Sequence, residues 1–271
     1  MSMKVPIHCT ARALLFLALT LALPLSAQQA TTGESPASTD NTLAAQVVSP
    51  EAQAVLDRMT AYLRTLQTFS IASNSSRDEI MAFGYKLQNI EHGELVVQRP
   101  NKLRAEIDGD IRTRTIVYDG AKLAMYSPDD AAYVRIDAPD TLAKLIGGLL
   151  NAGVEMPLMD VLYQAAAGTL TEDVRTGILV GDSMVDGVDC DHLAFRQANI
   201  DWQLWVERGQ RPLPRKILIT TRYVVGDPQF QAVLTWNLKP KINKSTFVFT
   251  APKDAIEVPF NDPVAIQSGA P

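Results

Sequence analysis

Apolar positions recur along this chain with two periods, and the switch between them divides it. From Pro50, the residues Val55, Leu56, Met59, Tyr62, Leu63 and Leu66 fall on one helical face. Ser49 suits an N-cap, Pro50 the first helical position, and Glu51 the positive end of the dipole. The pattern predicts an amphipathic helix from 50 to about 66. Most of the chain beyond Leu66 alternates with period two. Leu103, Ala105 and Ile107 oppose Arg104, Glu106 and Asp108, and Phe230, Ala232, Leu234, Trp236 and Leu238 form another apolar stripe. Ile217 and Ile219 lie between Lys216 and Thr220. Such alternation predicts antiparallel strands with one dry and one wet face. Turn signals separate them, among them Asp119-Gly120, Ser127-Pro128-Asp129, Asp186-Gly187 and Gly226-Asp227-Pro228. Two Leu- and Ala-rich stretches, Asp140–Leu150 and Pro157–Ala166, interrupt the meander and read as short helices. The expected order is helix, about five strands, two helices, about five strands. This is one α+β domain in which a large curved antiparallel sheet wraps helices.

The ends differ from this middle. Residues 1–27 read as a secretory signal peptide. Lys4 and Arg12 precede an uncharged run, Ala13 to Leu23, which Pro24 breaks before Ser26-Ala27. That run is too short to span a bilayer, and no later segment reaches transmembrane length. Residues 28–48 read as a flexible leader rich in Gln, Thr, Ser and Ala, 49–260 as the domain, and 261–271 as a frayed tail.

Charge and chemistry narrow the function. The formal net charge is −5, and loss of Lys4 and Arg12 makes the remainder more acidic. Without a basic cluster, nucleic acid is not an expected partner. Of the two cysteines, Cys9 leaves with the signal, so Cys190 has no intrachain partner and the fold must rest on burial. No G-x-S-x-G, Walker, H-E-x-x-H or dinucleotide fingerprint is present. Cys190 and His192 share a strand face, as a thiolate and its base would, while Asp189 and Asp191 face the other way. A buried thiol and a hydrogen-bonded imidazole account for the pair more simply, so no enzyme activity, metal or cofactor is expected. Trp202 and Trp205 face opposite ways. Trp202 and Trp236 suit core packing or the wall of a sheet that encloses more space than it fills.

The segment Gly93-Glu94-Leu95-Val96-Val97-Gln98-Arg99-Pro100-Asn101-Lys102-Leu103-Arg104 resembles the strand–turn–strand hallmark of the periplasmic lipoprotein carriers of the LolA/LolB type. Val117 to Pro128 looks like their next hairpin, and Thr246-Phe247-Val248-Phe249-Thr250-Ala251-Pro252 like their closing strand. Gly187 to Leu193 and Pro212 to Lys216 look closer to an uncharacterised set of predicted periplasmic proteins sharing that fold. Val96 stands where the carriers have an aromatic, and 139–180 matches poorly. The resemblance implies an unclosed half-barrel of about ten or eleven strands whose concave face holds acyl chains. It implies a periplasmic location, and a lipid or the acyl chain of a lipoprotein as partner. An Arg before the hallmark Pro holds the carriers' lid shut, and Arg99 occupies that place. Leu95, Val97, Leu103, Trp202 and Trp236 are the expected lining, with Arg99 at the rim. The alternative is an envelope interaction or scaffold protein that uses the fold without cargo and binds a protein partner.

Overall fold

In a computed structural model the chain is described over residues 47–111, 113–152, 154 and 156–260. The signal peptide, most of the leader, Gly153 and the tail lie outside the described residues.

Helix α1 spans Pro50–Thr65. Ser49 Oγ accepts a hydrogen bond from the Ala52 N–H at 3.2 Å, satisfying one of the free donors of the first turn. The helix stops where Leu66 turns extended and its N–H returns to the Leu63 carbonyl. Ala52, Val55, Leu56, Met59 and Leu63 are buried, with Tyr62 and Leu66 packed beside them, as the helical period predicts.

Among the described residues thirteen strands form one sheet. In chain order they are β1 (Val47–Val48), β2 (Thr68–Ile80), β3 (Lys86–Gln98), β4 (Lys102–Gly109), β5 (Arg114–Tyr118), β6 (Lys122–Ser127) and β7 (Ala132–Asp137). After helices α2 (Leu142–Asn151) and α3 (Pro157–Ala167) come β8 (Thr176–Val185), β9 (Val188–Arg196), β10 (Ile200–Glu207), β11 (Pro214–Thr221), β12 (Gln229–Asn237) and β13 (Ile256–Glu257). The spatial order is β1-β8-β9-β10-β11-β12-β2-β3-β4-β5-β6-β7-β13. Antiparallel pairing of β12 with β2 joins the two halves, and the sheet stays unclosed. Its two edges are blunted by short parallel partners, β1 on β8 and β13 on β7.

Between α1 and α2 the sheet thus holds six strands rather than about five. Val47 and Val48, read as leader, pair with Thr176 and Gly177. The Asp119-Gly120 hairpin is as expected: the Asp119 carboxylate accepts from the Ala121 and Lys122 N–H groups, and Gly120 takes φ 100°. The closing strand over 246–252 is absent. Asn243 Oδ1 accepts from the Ser245 N–H, and the Thr246 N–H bonds to the Asn243 carbonyl. This side-chain turn competes with strand pairing, although Phe247 and Phe249 still alternate.

Register assigns the faces. Trp236, Ile71, Leu95, Ala105, Ile116, Met125 and Val134 stand opposite one another in one continuous row on the concave face. Phe69, Val97, Leu103, Tyr118, Leu123 and Ile136 form the next row. On the other half, Phe195, Trp202, Ile219 and Phe230 continue the face. Phe195 stacks on Trp202 with ring centroids 4.0 Å apart. Gly177 makes room for that stack, since a Cβ there would lie 2.5 Å from Phe195 Cδ1. The core forms where these rows meet α1, α2 and the inner side of α3.

Candidate functional site: the covered concave face

The helices cover the concave face unequally. α2 is capped by Thr141, whose side chain accepts from the Lys144 N–H, and it buries Leu142, Leu145, Ile146 and Leu149. Among the described side chains of α3 only Ala165 is fully buried. The helix's Leu158, Met159, Val161 and Leu162 are half-buried against the core. α1 holds α3 by its C-terminal carbonyls. Thr60 Oγ1 donates to Ala165 O at 2.8 Å. Arg64 Nε donates to Ala166 O at 2.8 Å and its Nη2 to Ala167 O at 2.6 Å. A cation at the negative end of a helix is a favourable arrangement. α3 then ends at Gly168, with φ 84°, where a Cβ would lie 3.2 Å from Arg64 Nη2.

Arg99 lies beside this latch. It is half-buried at the end of β3, and its Nη1 donates to the Arg64 carbonyl at 3.4 Å, a long bond. Burial lowers its pKa from the ordinary value. The neighbouring Pro100 carbonyl accepts from the Leu142 N–H at 2.9 Å, tying the first turn of α2 to the β3–β4 turn. Tyr118 hydroxyl donates to the Pro139 carbonyl just before α2. Burial, then the negative charges of Asp140 and Asp119, push its pKa up to about 12.

Leu95, Val97, Leu103 and Trp202 are buried, at 7%, 4%, 6% and 5% exposure, within the core shared with α1 and α2. Trp236 is half-buried, tilts against Phe69 at 5.4 Å, and donates from Nε1 to the Pro214 carbonyl. With Leu213 and Leu238 it borders a rim cavity of about 550 Å³. Half-exposed concave positions include Ala105, Ile107, Ile116, Met125 and Val134, farther along the sheet, besides Ile136, Ile219, Phe230 and Trp236. Toward the β2–β3 tip the face turns polar, through Ser73, Ser75 and the Arg114–Glu91 ion pair at 3.2 Å. Sequence reasoning missed Thr60, Arg64 and the Ile116–Met125 row. Gly168 and a basic last turn in α1 were the signals for the latch.

Cys190 and His192 share the outer face, as expected, but each has its own surroundings. Cys190 is buried, its thiol donates to the Val188 carbonyl, and burial pushes its pKa up. His192 shares a hydrogen bond with Gln203 at 2.9 Å and stacks on Trp205 with centroids 4.2 Å apart. Trp205 therefore faces away from Trp202, yet is buried in a small outer cluster with Val185 and Cys190. Asp191 turns inward and pairs with Arg58 of α1 at 3.1 Å. Among the described residues no group of three or more His, Cys, Asp or Glu could hold a metal. Nor is any helix among them long and apolar enough to cross a membrane.

A family described as "Predicted periplasmic protein (DUF2092)" matches residues 52–261. No curated protein sequence matches the chain significantly. Several solved structures are similar to the chain at low identity. LprF from Mycobacterium bovis shares 12% identity, covering 76% of this chain and 98% of its own, with a TM-score of 0.45. The Mycobacterium tuberculosis lipoprotein LppX shares 11%, covering 72% and 99%, with a TM-score of 0.43. A LolA superfamily protein from Nitrosomonas europaea shares 12%, covering 72% and 96%, with a TM-score of 0.33.

Proposed function

Because the chain belongs to the DUF2092 family of predicted periplasmic proteins, we propose that it is an exported, non-enzymatic protein that binds a lipid or other apolar ligand on its concave face. A lipoprotein acyl chain is one such ligand. Residues 1–27 would serve as its signal peptide. The observation that carries this reading is the unbroken apolar row from Trp236 through Leu95 to Val134, of which the helices cover only part.

The physics is simple. Each acyl CH₂ moved from water to an apolar face gains about 0.8 kcal/mol. Ala105, Ile116 and Met125 offer the entry, and half-buried α3 is the element that would move. When α3 lifts, its Leu158, Val161 and Leu162 lose part of their cover, and an acyl chain entering beneath would restore it. The buried set Leu95, Val97, Leu103 and Trp202 forms the floor of the site in this reading, and Arg99 steadies the latch. Mass spectrometry of the organic extract of protein purified from its own envelope tests it. The expected result is a stoichiometric lipid; a clean extract, together with no binding of the neutral probe N-phenylnaphthylamine, contradicts it.

The packing of those four floor residues favours a second reading, an envelope scaffold with a filled concave face. It expects one stable protein partner from an envelope cross-linking experiment and no lipid.

A further inference from the structure

The outer face of the sheet carries a cavity of about 470 Å³ that the concave-face reading does not use. The segment after β12 folds back over β4–β7 and forms its roof. Register gives the floor: Val117, Ala124 and Arg135 stand opposite one another on the face away from Leu103 and Leu123. Phe247 is buried at the roof, and Phe249 packs on Tyr126 and Tyr133 at 6.2 and 5.4 Å.

The charges around this cavity run against the rest of the protein. Lys102, Lys122, Arg135 and Lys244 line it, against one acid, Asp119, in a chain of net charge −5. Lys122 is neutralised by Asp137, and the Asp119 carboxylate is occupied by two backbone N–H groups of its own turn. Among the described residues, no ion pair neutralises Lys102, Arg135 or Lys244. Aromatic rings orient two of them. Lys102 Nζ lies 5.9 Å from the Phe247 centroid, and the Arg135 guanidinium lies 5.6 Å from Phe249 and 5.5 Å from Tyr133. Ring faces attract a cation without cancelling its charge.

Uncancelled cations at the mouth of a partly apolar cavity suit one ligand chemistry. We propose that this outer cavity binds an anionic amphiphile, its phosphate or carboxylate head held by Lys102, Arg135 and Lys244 and a short apolar body laid against Val117, Ala124 and Phe247. Arg135 brings the planar fork that pairs with two oxygens of such a head. The volume lies within the range of small-molecule pockets. The ligand is either a free amphiphile or the head of a membrane lipid.

Isothermal titration with octyl phosphate tests the proposal, with octyl glucoside and inorganic phosphate as comparison ligands. The parent should bind octyl phosphate at least about tenfold more tightly than either, and less tightly as salt rises. Arg135→Ala with Lys244→Ala should weaken it at least about tenfold; both side chains are exposed, so the urea midpoint should hold. N-phenylnaphthylamine, a neutral probe for the concave face, should bind this double variant as it binds the parent. Equal octyl phosphate affinity in parent and variant, or octyl glucoside bound as tightly as octyl phosphate, overturns the proposal. So does an absence of binding at millimolar ligand. Flotation with phosphatidylglycerol vesicles separates the sources: co-flotation of parent but not variant assigns a lipid head, and octyl phosphate binding without co-flotation assigns a free amphiphile.

Discussion

Arg64, in the last turn of α1, closes its Nη2 on the carbonyl oxygen of Ala167 at 2.6 Å, so the first helix of the domain holds the last turn of the third. With Thr60 on Ala165 and Arg64 Nε on Ala166, three side-chain donors satisfy carbonyls that the end of α3 leaves free. Arg64→Ala removes two of them at an exposed site. Stability should fall by only about 1 kcal/mol. Amide exchange should rise in α3 and stay unchanged in α1 and β10. Uniform exchange across α3 and the sheet strands would deny the latch.

Arg99→Leu touches the same region more weakly, because its bond to the Arg64 carbonyl is 3.4 Å long. The fold should survive with a change under about 1 kcal/mol. Release of N-phenylnaphthylamine should quicken, though less than in Arg64→Ala. Identical release rates in parent and Arg99→Leu would remove Arg99 from any gating role.

The two inner-face tryptophans should separate in a urea series. Trp202 is buried and stacked on Phe195, so Trp202→Ala should cost about 3–5 kcal/mol. Trp236 is half-buried at the rim and loses one hydrogen bond to Pro214, so Trp236→Ala should cost about 1–3 kcal/mol. The reverse order would mean that the core centres on β12 instead.

Cys190 gives a pH signature. Burial raises its pKa in the folded protein, so the folded state keeps the thiol proton where the unfolded chain has lost it. Its contribution to stability is complete below the unfolded thiol pKa and is lost as pH climbs through the folded value. Cys190→Ala should therefore flatten the alkaline decline in urea stability above about pH 9. Iodoacetamide should label native protein far more slowly than urea-unfolded protein at that pH. Equal labelling would place the thiol at the surface.

Much of this architecture is legible in local pattern. Ser49-Pro50-Glu51 sets the start of α1, Asp119-Gly120 sets a hairpin, and parity correctly puts Trp202 and Trp205 on opposite faces. Elsewhere the pattern misleads for identifiable reasons. β2 lacks clean alternation because its inner positions Ser73 and Ser75 lie where the concave face turns polar. Phe247 and Phe249 alternate without pairing, because Asn243 claims the backbone for a turn. The expected lining rests on parity, which fixes a face but not its cover. Leu95, Val97, Leu103 and Trp202 lie on the concave face and are buried under helices. The Arg64 latch joins residues about a hundred positions apart, a relation no local period encodes.

The concave face as a binding surface is tested most directly by titrating N-phenylnaphthylamine into the parent and into Met125→Glu. Met125 is half-buried on the apolar row, so the added charge should leave the fold intact while burdening any bound apolar ligand with a desolvated carboxylate. Micromolar binding in the parent, weakened at least about tenfold by Met125→Glu, is the predicted result. Binding that Met125→Glu leaves unchanged, or no binding to either protein, would contradict it.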